Sequence, residues 1–387
     1  MKISIVYGFF LPVPPALGGA TEKIWFNIGR RLAQRGHEVT AFTRTWPNFP
    51  QHETIDGVHY HRVPGWDHTQ QLWRNLILDF RWSLRVRRVL PRDSVVISHN
   101  INLPYLLRPP FGRHPKPVSV VIGRMPKGQV HAYGRVDRIY ATSTAVANQA
   151  RRENPRAKSQ IKNLRNCVDW QAFQGADPAI KSTPIKIGFV GRIHPEKGLD
   201  LLIEAAAIMQ KNASLPQWEI SLVGPTEPTS GGGGKAFAES LQRLAAERGV
   251  RDRLVFTAPI WDPAILVKHY QSLTIFCYPT RAEKGEGLSV APIEAMAAGA
   301  IPVLTRLECY KDLIEESEDG LLFNHRSATA AADLAAAFER IMTEADMRGR
   351  MSTAARAKAR AFDYDSVTDD LESDLTELLI AFPDNSS

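Results

Sequence analysis

The sequence is poor in cysteine and has no long apolar run. Its three cysteines, Cys167, Cys277 and Cys309, lack the paired spacing of metal ligands. We therefore interpret them as buried thiols of a reducing compartment rather than as a metal site. No apolar stretch approaches the roughly eighteen residues that a membrane span requires. Because the first residues, MKISIVYGFF, are typical of a buried strand rather than of a signal peptide, we expect a cytoplasmic protein.

Several catalytic motifs are also missing. No G-x-G-x-x-G motif follows the first predicted strand, which weakens the case for a dinucleotide oxidoreductase. The run SGGGGK lacks the spacing of a phosphate loop, since Thr229 stands where a glycine is required and Ala236 follows the lysine. We expect a flexible surface loop there. The sequence contains neither a GxSxG nor an HExxH motif, so serine hydrolases and zincins have no support.

The chain is long enough for two domains. Its 387 residues, with 44% hydrophobic and 23% charged, are typical of a folded protein with more than one core. We predict one α/β domain at residues 1–172 and a second at residues 184–362, separated by a linker in FQGADPAIKSTP at residues 173–184. The helical segment at about 363–387 is expected to pack back on the first domain. Predicted strands lie at 3–7, 38–43, 95–98, 118–122, 138–142, 185–190, 218–223, 254–256, 273–278 and 301–304.

Alternating strands and helices predict parallel sheets flanked by helices in both domains. Such sheets bind ligands outside the carboxyl ends of their strands. The loops after Tyr7, Val190, Val223 and Tyr278 are therefore the expected binding positions. We expect them to open onto a cleft between the two domains.

Two glutamates in the stretch EKGEGLSVAPIEAMAAGAIPV draw attention. Glu286 and Glu294 stand eight positions apart, which on one continuous helix would separate them by roughly 12 Å and about 80°. We predict instead that Glu286 lies in a loop, and that a helix with Pro292 in its first turn carries Glu294 and ends at Gly299. In that arrangement both carboxylates and several free N–H groups face one spot.

Other polar candidates lie on predicted loops. Gly18 and Gly19 precede a helix, where backbone amides approach an anion closely, although a simple turn explains a glycine pair equally well. Arg192 and Lys197 lie in GFVGRIHPEKG, where two cations near a helix start suit a diphosphate; solvated charges are the alternative. His99 ends a strand and is a candidate for binding a sugar hydroxyl or the acceptor, or else a structural histidine.

The net charge of +7 is unevenly distributed. The stretch WRNLILDFRWSLRVRRVLPR at residues 73–92 holds six arginines among apolar and aromatic residues. This composition is typical of a helix that rests on an anionic membrane, while a helix with one buried and one basic solvated side fits it as well. No nucleic-acid-binding motif accompanies the charge, so we expect no nucleic-acid partner.

Five stretches together resemble the retaining glycosyltransferases of family 4. They are LGGATEK, RGHEV, RNCVDWQAF, GRIHPEKGLDLLIEA and EGLSVAPIEAMAAGAIPV, the last of which is similar to the E-x7-E motif of that family. The resemblance covers nearly the whole chain. It implies a GT-B fold, with two Rossmann-like domains whose parallel sheets face a central cleft.

The resemblance also implies roles for these residues. Arg192 and Lys197 would neutralise the donor diphosphate, and Glu294 would bind the ribose hydroxyls. Glu286 would contact the transferred sugar, aided by backbone amides near Leu288 and Ser289. Such a site needs no metal and no cofactor, because positive side chains and helix dipoles offset the charge on the leaving diphosphate.

The sequence departs from the family at several positions. Gly123 and Arg124 stand where a histidine is frequent, which makes Arg124 a candidate sugar or acceptor contact. Ser289 replaces a glycine in the loop that contacts the donor sugar, Cys167 replaces the glycine of an NGVD-like turn, and residues 308–309 replace a glycine pair. These departures predict a donor pocket of different shape.

We therefore expect a retaining, metal-independent glycosyltransferase with Glu286 and His99 as its catalytic residues. The expected donor is a UDP or GDP sugar, and the acceptor a saccharide or lipid-linked saccharide of cell-surface polysaccharide synthesis. Peripheral contact with the inner face of the membrane through residues 73–92 is part of this hypothesis. A nucleotide-sugar epimerase or phosphorylase on the same fold, or a non-catalytic sugar-nucleotide-binding subunit, are the alternatives.

Overall fold

The computed structural model describes residues 1–67, 69, 71–174 and 184–382. The chain forms two compact units, Met1–Asn166 with Tyr364–Ser387, and Cys167–Asp363. Residues 167–172 therefore group with the second unit, because Val168 pairs with Asp363 in a parallel bridge and the Trp170 amide donates to the Asp363 carboxylate. Most of the predicted linker, residues 175–183, lies outside the described residues.

The first unit is built on an eight-stranded sheet with the order β3-β4-β2-β1-β5-β6-β7-β8. Its strands pair in parallel except at one edge, where β3 and β4 are antiparallel. The interior strand β5 is buried throughout, as a strand covered by helices on both faces must be. The strands are β1 (Lys2–Val6), β2 (Glu38–Arg44), β3 (His52–Ile55), β4 (Val58–Val63), β5 (Val95–Ser98), β6 (Val118–Ile122), β7 (Arg138–Ala141) and β8 (Ile161–Asn163).

Helices of the first unit bury one face each against this sheet. In α1, residues Ile24, Trp25, Ile28 and Leu32 are buried at the spacing of one helix face. The helix α2 buries Trp82, Ser83 and Val86 but leaves most of its first three turns exposed. The helices are α1 (Ala20–Gln34), α2 (Leu72–Val89), α3 (Leu103–Leu107) and α4 (Thr144–Glu153).

The second unit is built on a six-stranded parallel sheet with the order β11-β10-β9-β12-β13-β14. Its strands are β9 (Ile185–Val190), β10 (Trp218–Val223), β11 (Leu254–Thr257), β12 (Ile275–Tyr278), β13 (Ile301–Thr305) and β14 (Leu321–Phe323). Its helices are α5 (Leu199–Met209), α6 (Lys235–Glu247), α7 (Pro263–Ser272), α8 (Val290–Ala297), α9 (Ala330–Thr343) and α10 (Ala345–Ala359).

The strands β9 and β12 are neighbours in the middle of this sheet, with Ile275 opposite Ile187. Because they run in parallel, their carboxyl ends lie at the same edge of the sheet. The loop after β9, residues 191–198, and the loop after β12, residues 279–289, therefore come together. We call them the arginine loop and the glutamate loop.

The last helix, α11 (Tyr364–Ala381), belongs to the first unit and packs on α1. The Arg31 side chain lies over the Tyr364 ring, 4.6 Å from its centroid, and donates to Asp365 at 2.8 Å. A second pair joins Arg35 to Glu372 at 2.9 Å. Within the described ranges, no helix is both long and apolar enough to span a bilayer.

Candidate functional site

The glutamate loop places Glu286 in the interior of the second unit, where only 8% of the residue is exposed. The loop folds back at Ala282, whose carbonyl accepts hydrogen bonds from the amides of Gly285 and Glu286 at 2.9 Å each. Thr280 donates to the Glu286 Oε1 at 3.2 Å, and Ser289 donates to the Oε2 at 2.6 Å. As the sequence predicts, Glu286 lies in a loop before the helix that carries Glu294.

Lys197 from the arginine loop forms an ion pair with the Oε1 of Glu286. Its ammonium also lies 5.0 Å from the centroid of the Tyr278 ring at the end of β12. Burial alone would lower the pKa of Lys197, but Tyr278 and Glu286 outweigh it and raise the pKa above its usual value. The lysine is therefore a permanent cation next to a buried carboxylate.

Glycine at position 198 allows Lys197 to reach this place. Gly198 has a φ of 63°, and a β-carbon there would overlap the Pro279 carbonyl of the glutamate loop. The two loops touch further at Glu196, whose carbonyl accepts from the Arg281 amide at 2.7 Å. Close backbone approach thus fixes the arginine loop against the glutamate loop.

Arg192 lies in the same loop and is partly exposed. Its guanidinium donates to the Gly231 carbonyl at 3.0 Å and to the Glu196 carboxylate at 2.5 Å. The Lys197 ammonium lies 3.8 Å from the same Glu196 oxygen. One carboxylate therefore holds the two predicted diphosphate ligands on one side of the arginine loop.

The glycine run SGGGGK is packed against the arginine loop, which differs from the flexible surface loop expected from the sequence. The Gly233 amide donates to the Ile193 carbonyl at 2.8 Å, and the Gly234 amide donates to Thr226 at 2.8 Å. A β-carbon at Gly231, where φ is 79°, would come 2.7 Å from the Cδ of Arg192. Glycine is needed at position 231 because the run packs directly against the Arg192 side chain.

The helix α8 begins at Val290, two residues before Pro292, and carries the buried Glu294. The helix ends as predicted, with Gly299 in a left-handed conformation at a φ of 83°. Glu294 lies beside Tyr270 of α7, and the pKa of Tyr270 is raised well above its usual value by burial and then by this carboxylate. A common ligand for Glu286 and Glu294 stays a prediction.

The remaining two residues of the predicted donor loop lie at the start of α8. Leu288 is buried, and Ser289 occupies the position just before the first residue of the helix. The Ser289 hydroxyl lies 2.9 Å from the Tyr310 hydroxyl as well as bonding to Glu286. Sequence reasoning missed the roles of Tyr310, Thr280, Tyr278 and Glu196. Thr280 and Glu196 are polar residues in the predicted binding loops after β12 and β9, and that position is a signal that could have found them.

The other predicted residues lie in the first unit. Gly18 and Gly19 have φ values of 74° and 94° before α1, and a β-carbon at Gly19 would overlap the Glu22 carboxylate. Arg124 is exposed after β6. Burial raises the pKa of Glu22, so this carboxyl is less acidic than one in water.

His99 follows β5 and contacts two aromatic rings, with centroids 4.7 Å away for Trp25 and 6.0 Å away for Tyr7. Its buried Nε2 has no hydrogen-bond partner in the described part of the chain. Burial lowers the pKa of His99 to about 3, so the imidazole is neutral at physiological pH. A neutral imidazole with a free nitrogen can bind a hydroxyl group, and the role of His99 in binding a sugar or the acceptor stays a prediction.

No group of three or more histidine, cysteine or acidic side chains with the geometry of a metal site occurs among the residues that the structure describes. The cysteines at positions 167, 277 and 309 are buried, and none of them forms a disulfide within the described part of the chain. Independence from metals and cofactors stays a prediction.

The second unit is similar in sequence to a known protein family, and the chain is similar to curated proteins. Residues 171–358 match the family model "Glycosyl transferases group 1". A D-inositol 3-phosphate glycosyltransferase of Thermomonospora curvata is 30% identical over 183 residues, which are 47% of this chain and 40% of that protein. A GDP-mannose:cellobiosyl-diphosphopolyprenol alpha-mannosyltransferase of Xanthomonas oryzae pv. oryzae is 27% identical over 178 residues, or 46% of this chain and 43% of the relative. The matched regions thus span less than half the length of these two curated relatives.

Among solved structures, sucrose-phosphate synthase from Thermosynechococcus elongatus superposes with a TM-score of 0.78. The match covers 98% of this chain and 100% of that one at 19% identity, a level that bears on the fold alone. Two parallel-sheet α/β units and this likeness confirm the predicted fold class. The chain therefore has the GT-B fold, and its residues 171–358 match the glycosyl transferases group 1 model.

Proposed function

We propose that this protein transfers a sugar from a UDP or GDP sugar to a saccharide or lipid-linked saccharide, with retention of configuration and without a metal. The observation that carries this proposal is the pair of loops in the second unit. There the cations Arg192 and Lys197 share Glu196, and Lys197 contacts Glu286 in the glutamate loop. The Xanthomonas relative is a mannosyltransferase with a nucleotide-sugar donor and a polyprenol-linked acceptor, which supports the same class of reaction for this chain.

The proposed chemistry follows from charge. A departing nucleoside diphosphate gains negative charge, which preorganised cations and helix-terminal N–H groups stabilise without reorganisation. In this proposal Arg192, Lys197 and the amides at Leu288 and Ser289 bind the diphosphate, and Glu294 binds the ribose. Glu286 binds the sugar, and the leaving phosphate deprotonates the acceptor hydroxyl on the same face. His99 of the first unit, and Arg124 as a further contact, would bind sugar or acceptor hydroxyls, with Gly18 and Gly19 near the donor.

The direct test is release of nucleotide from a panel of UDP and GDP sugars by the full chain. Glu286→Gln keeps the shape of the side chain but removes its charge, and we expect at least a hundred-fold loss of turnover. The matched control is Glu283→Gln, which neutralises a carboxylate of the same loop that pairs with Arg326. Equal turnover in the wild type and Glu286→Gln would refute the assignment, and turnover that requires inorganic phosphate would favour a phosphorylase.

We further propose that α2 holds the protein on an anionic membrane, where a lipid-linked acceptor would lie. Its exposed side chains include Leu72, 73% exposed, and Trp73, 58% exposed, followed by Leu76, Ile77 and Phe80. Exposed arginines lie at positions 74, 81, 87 and 88, while the helix's one acidic residue, Asp79, is buried. This combination suits the interface of an anionic bilayer.

Flotation with vesicles tests this surface. We expect the full chain to float with phosphatidylglycerol vesicles and not with phosphatidylcholine vesicles, and Trp73→Ser combined with Ile77→Ser to abolish flotation. The control is Trp261→Ser, which removes a tryptophan of similar exposure, 52%, from the second unit. No flotation of the wild type, or equal flotation of both variants, would rule out this contact.

A further inference from the structure

Ser289 occupies the N-cap position of α8. A serine just before the first helical residue usually accepts a hydrogen bond from an N–H of the first turn. In the described part of the chain, the Ser289 hydroxyl makes no such bond to α8. It donates instead to the Oε2 of Glu286 at 2.6 Å. The capping position is therefore used to hold the carboxylate.

The direction of each hydrogen bond follows from chemistry. The Glu286 carboxylate can only accept, so the single hydroxyl proton of Ser289 is committed to it. The hydroxyl of Tyr310, 2.9 Å from the Ser289 Oγ, must then donate to Ser289. Burial, and then Glu286, raise the pKa of Tyr310 well above its usual value, which keeps this hydroxyl protonated as a donor.

The two oxygens of Glu286 therefore have different surroundings. Oε1 accepts from Lys197 and from Thr280, while Oε2 accepts only from Ser289 among the bonds that the described residues make to it. A carboxylate oxygen accepts about two hydrogen bonds. Oε2 thus retains one acceptor position, and the bond from Ser289 determines where that position points.

We propose that Ser289 and Tyr310 are positioning residues that aim the free acceptor position of Glu286 at a hydroxyl group of the transferred sugar. This inference rests on the proposed function, because it takes the sugar of a nucleotide sugar as the ligand of Glu286. It predicts that the two hydroxyls matter for the sugar and not for the nucleotide. Neither residue needs to touch the reacting atoms.

The test compares Ser289→Ala, Tyr310→Phe and the double variant. Loss of a charge-assisted hydrogen bond should reduce turnover of the sugar nucleotide by about ten-fold in Ser289→Ala. Tyr310→Phe should reduce it by about three-fold, and the double variant should match Ser289→Ala because Tyr310 acts through Ser289. Affinity for free UDP or GDP, measured by calorimetry, should stay within about two-fold in all three.

Two further variants serve as controls. Ser352→Ala removes a buried serine hydroxyl that donates to the Gly299 carbonyl at 2.6 Å, outside the Glu286 network, and should leave turnover unchanged. Ser289→Thr keeps the hydroxyl and should restore most of the turnover. Thermal unfolding of each variant shows whether it is folded.

Three results would overturn the inference: turnover of Ser289→Ala within two-fold of the wild type, equal loss of affinity for the sugar nucleotide and the free nucleotide, or additive effects in the double variant. If the wild type released no nucleotide from any sugar nucleotide, the proposed transfer would fail on its own. The affinity of Ser289→Ala for the sugar nucleotide, relative to the free nucleotide, would still decide whether Ser289 positions Glu286.

Discussion

The candidate site residues of the two units differ in how burial affects their charge. In the second unit, Lys197 and Glu286 are both buried but paired, and Lys197 is held as a cation. In the first unit, burial without an ion pair lowers the pKa of His99 to about 3 and raises the pKa of Glu22. Burial favours the neutral form unless an opposite charge offsets it.

This difference suggests that the two sites bind ligands of different charge. A site with preserved cations suits an anionic ligand such as a nucleoside diphosphate. A neutral imidazole with an unused nitrogen suits an uncharged hydroxyl, such as that of a saccharide. The contrast supports, for this chain, a charged donor in the second unit and an uncharged partner in the first.

The largest effect should come from removing the buried ammonium group of Lys197 in the second unit. Lys197→Met keeps much of the buried aliphatic volume but leaves Glu286 without its ionic partner. Breaking a buried pair in this way should cost about 3 kcal/mol of unfolding free energy and reduce turnover at least a hundred-fold. Thermal unfolding and nucleotide release measure the two effects. Lys284→Met, at an exposed lysine of the glutamate loop, should change neither the stability nor the turnover. Equal losses in the two variants would contradict the role of Lys197 as a buried cation of the donor site.

The partly buried His99 of the first unit should make the stability of the protein depend on pH. The unfolded chain binds a proton at His99 near pH 6.5, whereas the folded chain does so only near pH 3. The protein should therefore lose stability as the pH falls through this window, by about 2 kcal/mol at pH 5 for this group. In His99→Gln the drop in melting temperature from pH 7 to pH 5 should be smaller than in the wild type. An unchanged drop would show that His99 does not titrate as described.

The smallest effect should come from a substitution in the glycine run SGGGGK, which packs against the Arg192 side chain. Gly231→Ala places a β-carbon 2.7 Å from the Arg192 Cδ, and we expect about five-fold weaker binding of UDP or GDP by calorimetry. Gly249→Ala is the matched control, because Gly249 also has a positive φ, 69°, but has open space around its would-be β-carbon. Both variants should lose about 1 kcal/mol of stability from backbone strain. Equal nucleotide affinity in the two variants would show that the glycine run does not position Arg192 for nucleotide binding.

Much of the fold could be predicted from the sequence because its strands are short, apolar and regularly separated by helices. The strands at 95–98, 118–122 and 218–223 have the predicted bounds. The edge hairpin β3-β4 was missed, although Asp56-Gly57 lies at its turn with positive φ values of 49° and 81°. The polar residues in HETI and VHYHRV hide these strands, since a continuous apolar run is the clearer signal of a strand in an α/β fold.

The site was only partly predictable. Glu286, Lys197 and Arg192 could be named because charged residues on loops after strands stand out, and adjacency of β9 and β12 brings those loops together. Tyr310 and Gly231 could not, because their contacts with Ser289 and Arg192 depend on tertiary packing across distant parts of the chain. A serine just before a helix predicts an N-cap hydrogen bond. No local feature of the sequence indicates that the Ser289 hydroxyl bonds to Glu286 instead.

Calorimetric titration of the full chain with UDP and with GDP, beside Lys197→Met, tests the central claim most directly. The account predicts that one nucleotide binds the wild type in a one-to-one complex, and that Lys197→Met binds it at least thirty-fold more weakly while Lys284→Met binds it equally well. Binding of neither nucleotide to the wild type, or equally tight binding to Lys197→Met, would contradict the assignment of the second unit as the donor site.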